Sequence, residues 1–265
     1  MSAEIANGLA KLFIQRKDVR AIQRFDQHGE PMYMPELERK DGPRLPWTRA
    51  ALEEHIAGTK TYGHYLLDLD DNCKLFAFDV DLEKAGPFPM VAEPTTADDF
   101  VVADLRAGWR DRSQPGRRIL KLKMNLIAQA LEEQIEKLGI PSAVAYSGNK
   151  GFHVYGFTGV MNAADVREAA KLVLDALPEW QPSKGDNFYL CENKSPASGF
   201  PEFSIEIFPK QDSLEGKDLG NLMRLPLGRN IKSKDPSFFM DTSGDPYELK
   251  PTDAATLLGE IAAKF

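Results

Sequence analysis

Asp79 and Asp81 stand one residue apart at the end of an apolar run, Phe76-Ala77-Phe78-Asp79-Val80-Asp81. A strand turns successive side chains to opposite faces, so the two carboxylates share one face while Phe78 and Val80 fill the other. Like charges this close repel, and a cation relieves the repulsion; oxygen ligands point to magnesium or manganese. A strand that runs out into solvent also tends to end in Asp, so the pair has a bland reading beside the chemical one.

Two further stretches carry groups of matching chemistry. In Ser147-Gly148-Asn149-Lys150-Gly151-Phe152-His153, two glycines let the backbone turn tightly and approach a ligand, while Ser147, Lys150 and His153 offer donors to phosphate oxygens. This is not a P-loop: the GxxxxGK[ST] order is missing, and a strand rather than a helix follows. A hairpin turn ending in a half-buried histidine is the competing reading. In Phe203-Ser204-Ile205-Glu206-Ile207-Phe208, Ile205 and Ile207 share one face, so Glu206 points to the other with Ser204 and Phe208. A carboxylate inside an apolar strand is costly unless paired or metal-bound. An edge-strand surface glutamate is the alternative.

The elements that must position these residues follow from local pattern. Ile5, Leu9, Leu12 and Phe13 recur at helical spacing over residues 3–15. Val19 to Phe25 reads as a strand and Gly29-Glu30-Pro31 as a turn. Thr48 caps a helix through Leu52 and Ile56 that ends at Gly58. Thr61 to Leu67 and Lys74 to Val80 predict a β-hairpin, closed by Asp68–Asn72 and leading into the paired aspartates. Residues 84–117, rich in proline and then in arginine, read as an insertion loop. Arg118 to Leu138 is a helix stopped by Gly139. Ala143 to Tyr146 is a strand, and Asn162 caps a helix from Ala163 to Leu177. Gln181 to Pro201 reads as a polar loop and Gly220 to Arg229 as a strand. Thr252 to Phe265 is a terminal helix with no tail after it. The chain is therefore expected to be the catalytic portion of a longer protein carrying a helicase or accessory domain.

Composition bounds the function. The 265 residues suit one large domain or two closely packed lobes, with 42% hydrophobic and 28% charged residues. There is no signal core and no apolar run that could span a membrane. Cys73 and Cys191 stand alone, which argues against disulfides and a cysteine-rich zinc module. A reducing cytoplasm is the expected location. Thirty-three basic against 40 acidic residues leave a net charge of −7, unlike a simple nucleic-acid coat. Yet Arg106, Arg110, Arg112, Arg117, Arg118, Lys121 and Lys123 form a basic strip against Asp104 and Asp111 alone. That fits an enzyme gripping a polyanion in one groove, or a solvated helix face.

Taken together, Asp79-Val80-Asp81, then Ser147 to His153, then Glu206 on a strand resemble the three signature motifs of the archaeo-eukaryotic primase superfamily. His55-Ile56-Ala57-Gly58 with Thr61-Tyr62-Gly63-His64-Tyr65 look like the primase domains of TOTE conflict systems and of CRISPR-associated primase-polymerases. So do Glu206 to Gln211 and Gly220-Asn221-Leu222-Met223-Arg224-Leu225-Pro226. The resemblance runs from Leu12 to Tyr247 and implies an α/β (α+β) fold. Its two-lobed core would set an RRM-like catalytic sheet against a second, smaller α/β lobe, with the active site between them.

By the same resemblance Asp79, Asp81 and Glu206 are the catalytic, metal-binding carboxylates for two Mg2+ or Mn2+ ions. Ser147, Gly148, Lys150, Gly151 and His153 would hold the nucleoside triphosphate, joined by Asn221 and Arg224. Arg112, Arg117 and Arg118 would track a single-stranded DNA template. The implied activity is DNA-dependent nucleotidyl transfer, making or extending primers. Filling gaps or repairing ends is the alternative, and a non-catalytic nucleic-acid-binding module the least favoured one. Glu206 stands where many members have Asp, which predicts a manganese preference. Without a zinc module, extension is better supported than priming from nothing.

Overall fold

A strand that alternates Phe76, Phe78 and Val80 with Ala77, Asp79 and Asp81 needs apolar cover on one face and a polar cleft on the other. A computed structural model, which describes residues 2–82, 116–191 and 203–265, shows how both are supplied. In chain order the elements are α1 (Ser2–Leu12), β1 (Ala21–Phe25), β2 (Pro31–Pro35), α2 (Arg49–Ile56), β3 (Tyr62–Tyr65), β4 (Asn72–Leu82), α3 (Gly116–Lys137), β5 (Ser142–Tyr146), β6 (Gly151–Asn162), α4 (Ala163–Asp175), β7 (Trp180–Pro182), β8 (Phe188–Cys191), β9 (Phe203–Phe208), β10 (Leu222–Arg224), β11 (Phe238–Asp241), β12 (Lys250–Pro251) and α5 (Ala254–Ala262).

The strands form two antiparallel sheets. The larger runs β12-β11-β5-β6-β4-β9-β8-β7 and the smaller β10-β3-β1-β2. Within the larger sheet, the succession β4-α3-β5-β6-α4-β9 with spatial order β9-β4-β6-β5 is the βαββαβ arrangement of an RRM-like sheet. Leu120, Met124, Ile127, Leu131 and Ile135 give α3 a buried stripe. Gly139, at φ 71°, follows its last turn. Asn162 Oδ1 caps α4 by accepting the Ala164 N–H at 3.0 Å. Both helices pack on the strands of this sheet. Phe13, just beyond α1, packs edge-on against Tyr155 and Phe157 of β6, with ring centroids 5.0 and 5.3 Å away.

Several expectations need correction. Thr61–Leu67 and Lys74–Val80 do not make a hairpin: β3 pairs with β1 and β10, and β4 with β6 and β9. All four residues of β3 and most of β4 are buried, so each strand is interior to its own sheet and needs two partners there. Asp68 redirects the chain between them, its Oδ1 accepting the N–H groups of Asp70 and Asn72 at 3.0 and 2.9 Å. The strand expected over Gly220–Arg229 is only Leu222–Arg224. Pro226 has no N–H to continue a ladder, and Leu227 turns to φ 74°. The polar loop expected from Gln181 contains the β7–β8 hairpin, whereas 192–202 fall outside the described residues. So does the expected insertion at 84–117, except Gly116 and Arg117, which already open α3.

His55 ties α2 to the end of β10. It is fully buried; its Nδ1 accepts the Tyr62 N–H at 3.0 Å, and its Nε2 lies 3.1 and 2.9 Å from the Leu225 and Pro226 carbonyls. Those partners require a neutral ring that donates from Nε2. Burial pushes its pKa down to about 4, and burial likewise pushes His64 down to about 3. A histidine depressed in the fold stabilises it above the unfolded pKa, about 6.5, and loses that contribution as pH falls towards the folded value. Urea unfolding should therefore show stability falling below about pH 6.5, by about 3 kcal/mol for His55 alone. A stability that stayed flat from pH 7 to 4.5 would contradict the assignment.

Candidate active site

Register brings the acidic residues together. Asp79 on β4 stands directly opposite His153 on β6 and Glu206 on β9, while Asp81 stands opposite Gly151 and Ser204. Directly opposed residues share a face, so Asp79, Asp81, His153 and Glu206 all project to the same side of the sheet. Glu206 is not on an edge, because β9 lies between β4 and β8.

Each carboxylate has a cationic or ring partner. His153 Nε2 lies 3.3 Å from Asp79 Oδ1, and Lys150 Nζ 2.7 Å from Asp81 Oδ2. Lys210 Nζ lies 2.5 Å from Glu206 Oε1 and also sits over the Phe208 ring. The His153 ring is oriented from behind, its Nδ1 2.8 Å from the hydroxyl of the fully buried Tyr155. Burial alone would raise Asp79, but the charge and hydrogen bond of His153, with Arg224 and Lys150, bring it below the usual carboxylate range. Burial and then repulsion from Asp79 raise Asp81 against the pull of Lys150. The two aspartates are thus driven apart in acidity.

The Ser147–Gly151 turn is built from its own side chains. Ser147 Oγ accepts the N–H groups of Asn149 and Gly151 at 3.3 Å each, and Tyr146 donates its hydroxyl to the Asn149 carbonyl at 2.8 Å. Gly148 has φ 73°, a conformation that side chains other than glycine's rarely adopt. At Gly151 a Cβ would lie 2.2 Å from the Val80 carbonyl oxygen and 2.4 Å from Asp81 Oδ1. The residue is glycine because β6 starts hard against the acidic pair. Arg224 of β10 donates to the Ser147 carbonyl, and this contact links the smaller sheet to the turn.

Between the two sheets lies a cleft of about 260 Å³, lined among others by Asp79, Asp81, Ser147, Lys150, His153 and Arg224. Six of the residues singled out from the sequence thus meet at one cavity. Glu206 joins them by register, held by Lys210. Asn221 is placed differently: its Oδ1 accepts the Lys210 N–H at 3.2 Å, bracing the segment after β9. Arg118 stacks over the Tyr247 ring at 4.3 Å, and neither it nor Arg117 lines the cleft. Arg112 lies outside the described residues. The same cavity is lined by Asn149 of the Ser147–His153 motif and by Gln23, Tyr33 and Asn230, which motif reading missed. Only the polar Gln23 within an otherwise apolar start to β1 hinted at them.

As the side chains stand, no three His, Cys, Asp or Glu residues among those described are gathered tightly enough to hold an ion. Glu206 is drawn to Lys210 and Asp81 to Lys150. The donor set nevertheless fits a hard divalent cation, being all oxygen, with two carboxylates on neighbouring same-face positions and the third in direct register. The repulsion that lifts Asp81 is the cost such a cation would remove.

An RRM-like sheet whose acidic face closes on a second, smaller sheet defines a primase-polymerase fold. By structure, the chain is similar to the polymerase domain of Mycobacterium tuberculosis ligase D in complex with DNA, with TM-score 0.51 and 11% sequence identity over 99% of this chain and 86% of that one. No curated protein matches by sequence. A family model described as the archaeo-eukaryotic primase domain of TOTE conflict systems matches residues 5–259, and the chain belongs to that family. Membership supports nucleotidyltransferase activity. No helix among the described residues is long and apolar enough to cross a membrane.

Proposed function

We propose that the protein is a template-directed nucleotidyltransferase that makes or extends strands on single-stranded DNA. One observation carries this reading: Asp79 is in direct register with both Glu206 and His153, above a cleft walled by Lys150 and Arg224. A nucleoside triphosphate needs its phosphates neutralised and its reacting oxygens aligned, and this wall offers both cations and carboxylates. Asp79, Asp81 and Glu206 would hold Mg2+ or Mn2+, which when bound activates a 3′-hydroxyl and stabilises the departing pyrophosphate.

The chain's own residues supply the rest. Lys150 and Arg224 attract the triphosphate. Ser147 shapes the turn that presents Lys150, and Tyr155 holds the His153 ring so that its Nε2 faces the site. Arg112, Arg117 and Arg118 would contact template phosphates. A nucleotide, a single-stranded template and a helicase or accessory domain are the partners this reading implies.

Filling gaps or ends draws its support from the likeness to a ligase's polymerase domain bound to DNA. Labelled nucleotides supplied with unprimed, primed and gapped DNA, each with Mg2+ and Mn2+, separate the readings. Extension on single strands is expected, stronger with Mn2+. Incorporation confined to gapped duplex would favour the repair role, and DNA binding without incorporation would leave a non-catalytic module.

A further inference from the structure

The wall of the cleft facing the acidic sheet carries two polar atoms without partners. Gln23 Oε1 and Tyr33 Oη are buried and make no hydrogen bond among the described residues. Both line the cleft, and they stand directly opposite each other in the β1–β2 register. Buried polar atoms are almost always paired, and two orphans facing each other across one strand pair in one cavity point to a missing polar partner.

Resting on the proposed nucleotidyl-transfer reading, we infer that Gln23 and Tyr33 are the residues that recognise a sugar hydroxyl of the bound nucleotide. Position argues for the sugar. The phosphate end is fixed by Lys150 and Arg224 and the reacting end by the aspartates, and the unit bonded next to the α-phosphate is the sugar. Tyr33 lines the same cleft as Asp79 and Arg224, and its hydroxyl feels both charges. Chemistry argues the same way. A hydroxyl can donate to the Gln23 amide oxygen and accept from the Tyr33 phenol at once, whereas a phosphate oxygen cannot donate. Burial pushes the Tyr33 hydroxyl up, so it stays a neutral donor. Leu222 and Met223 of the smaller sheet complete the same wall with apolar surface suited to the carbon face of the ring.

The 2′- and 3′-hydroxyls share this chemistry, and the test separates them. Wild type, Tyr33→Phe and Gln23→Leu are compared for single-nucleotide incorporation of one base as the ribo-, 2′-deoxy- and 3′-deoxynucleoside triphosphate. Loss of one hydrogen bond is expected to reduce the discrimination ratio in kcat/KM by about tenfold in each variant. If the ribo/2′-deoxy ratio collapses, the 2′-hydroxyl is the one held; if the ribo/3′-deoxy ratio collapses, it is the 3′. Since each variant removes an unpaired buried atom, its melting temperature should not fall. Equal loss for all three sugars, or no change in either ratio, would overturn the inference while leaving nucleotidyl transfer intact. A folded wild type that incorporates none of the three would remove the underlying reading as well.

Discussion

Gly151→Ala is expected to lose both stability and activity from the addition of one methyl group. The new carbon would lie 2.2 Å from the Val80 carbonyl oxygen and 2.4 Å from Asp81 Oδ1, and the nearer atom is backbone that cannot rotate away. Strands β4 and β6 must then part at the acidic pair. Overpacking of this kind costs about 1–3 kcal/mol, and a catalytic group misplaced by about 1 Å costs about a hundredfold in rate. Gly259→Ala is the control. Gly259 lies in α5 with nothing within 4 Å of the added carbon, so alanine should be neutral or stabilising there. Urea unfolding and kcat measured on both variants check the contrast. A Gly151→Ala protein as stable and active as wild type would mean that β6 does not press on Asp81 as described.

The second large effect is expected from replacing Asp79 and Asp81 together by asparagine. The side-chain shapes are kept, and the charge that would hold a cation is lost. Losing several kcal/mol of transition-state charge stabilisation corresponds to at least about a thousandfold in kcat. Folding should survive, because the two acids contribute in opposite directions. Asp79 is ionised more readily in the fold, through His153, Arg224 and Lys150 acting against burial, so removing its charge costs stability. Asp81 is ionised less readily, through burial and Asp79, so removing its charge returns some. The melting temperature should stay within about 3 °C of wild type. A variant that unfolds would show that the pair is mainly structural.

Much of this site was legible before the fold was known. The period-2 alternation around Asp79 and around Glu206 placed each carboxylate on the polar face of its strand, and both strands form. Gly148 and Gly151 flagged the tight turn, and each has its own steric reason for being glycine. The illegible parts depend on long-range pairing. Nothing local says that β4 takes β6 and β9 as neighbours rather than β3, because two buried strands joined by a turn look like a hairpin whichever sheets they enter. The opposite wall was harder still. Gln23 and Tyr33 carry no motif, and they reach the cleft only because the smaller sheet folds over the larger one. Asn221 sits in a family-like run, and what that run did not show is that its side-chain oxygen braces the Lys210 backbone.

On the proposed reading, the face shared by Asp79, Asp81, Glu206 and His153 performs template-directed nucleotidyl transfer. Four primed single-stranded DNA templates differing in one base, each offered every labelled nucleotide singly with Mn2+ or Mg2+, test it most directly. Wild type is expected to add the nucleotide complementary to the template base, and the Asp79→Asn, Asp81→Asn protein, though folded, to add none. Addition that ignores the template base, or that persists at the wild-type rate in the double variant, would contradict it.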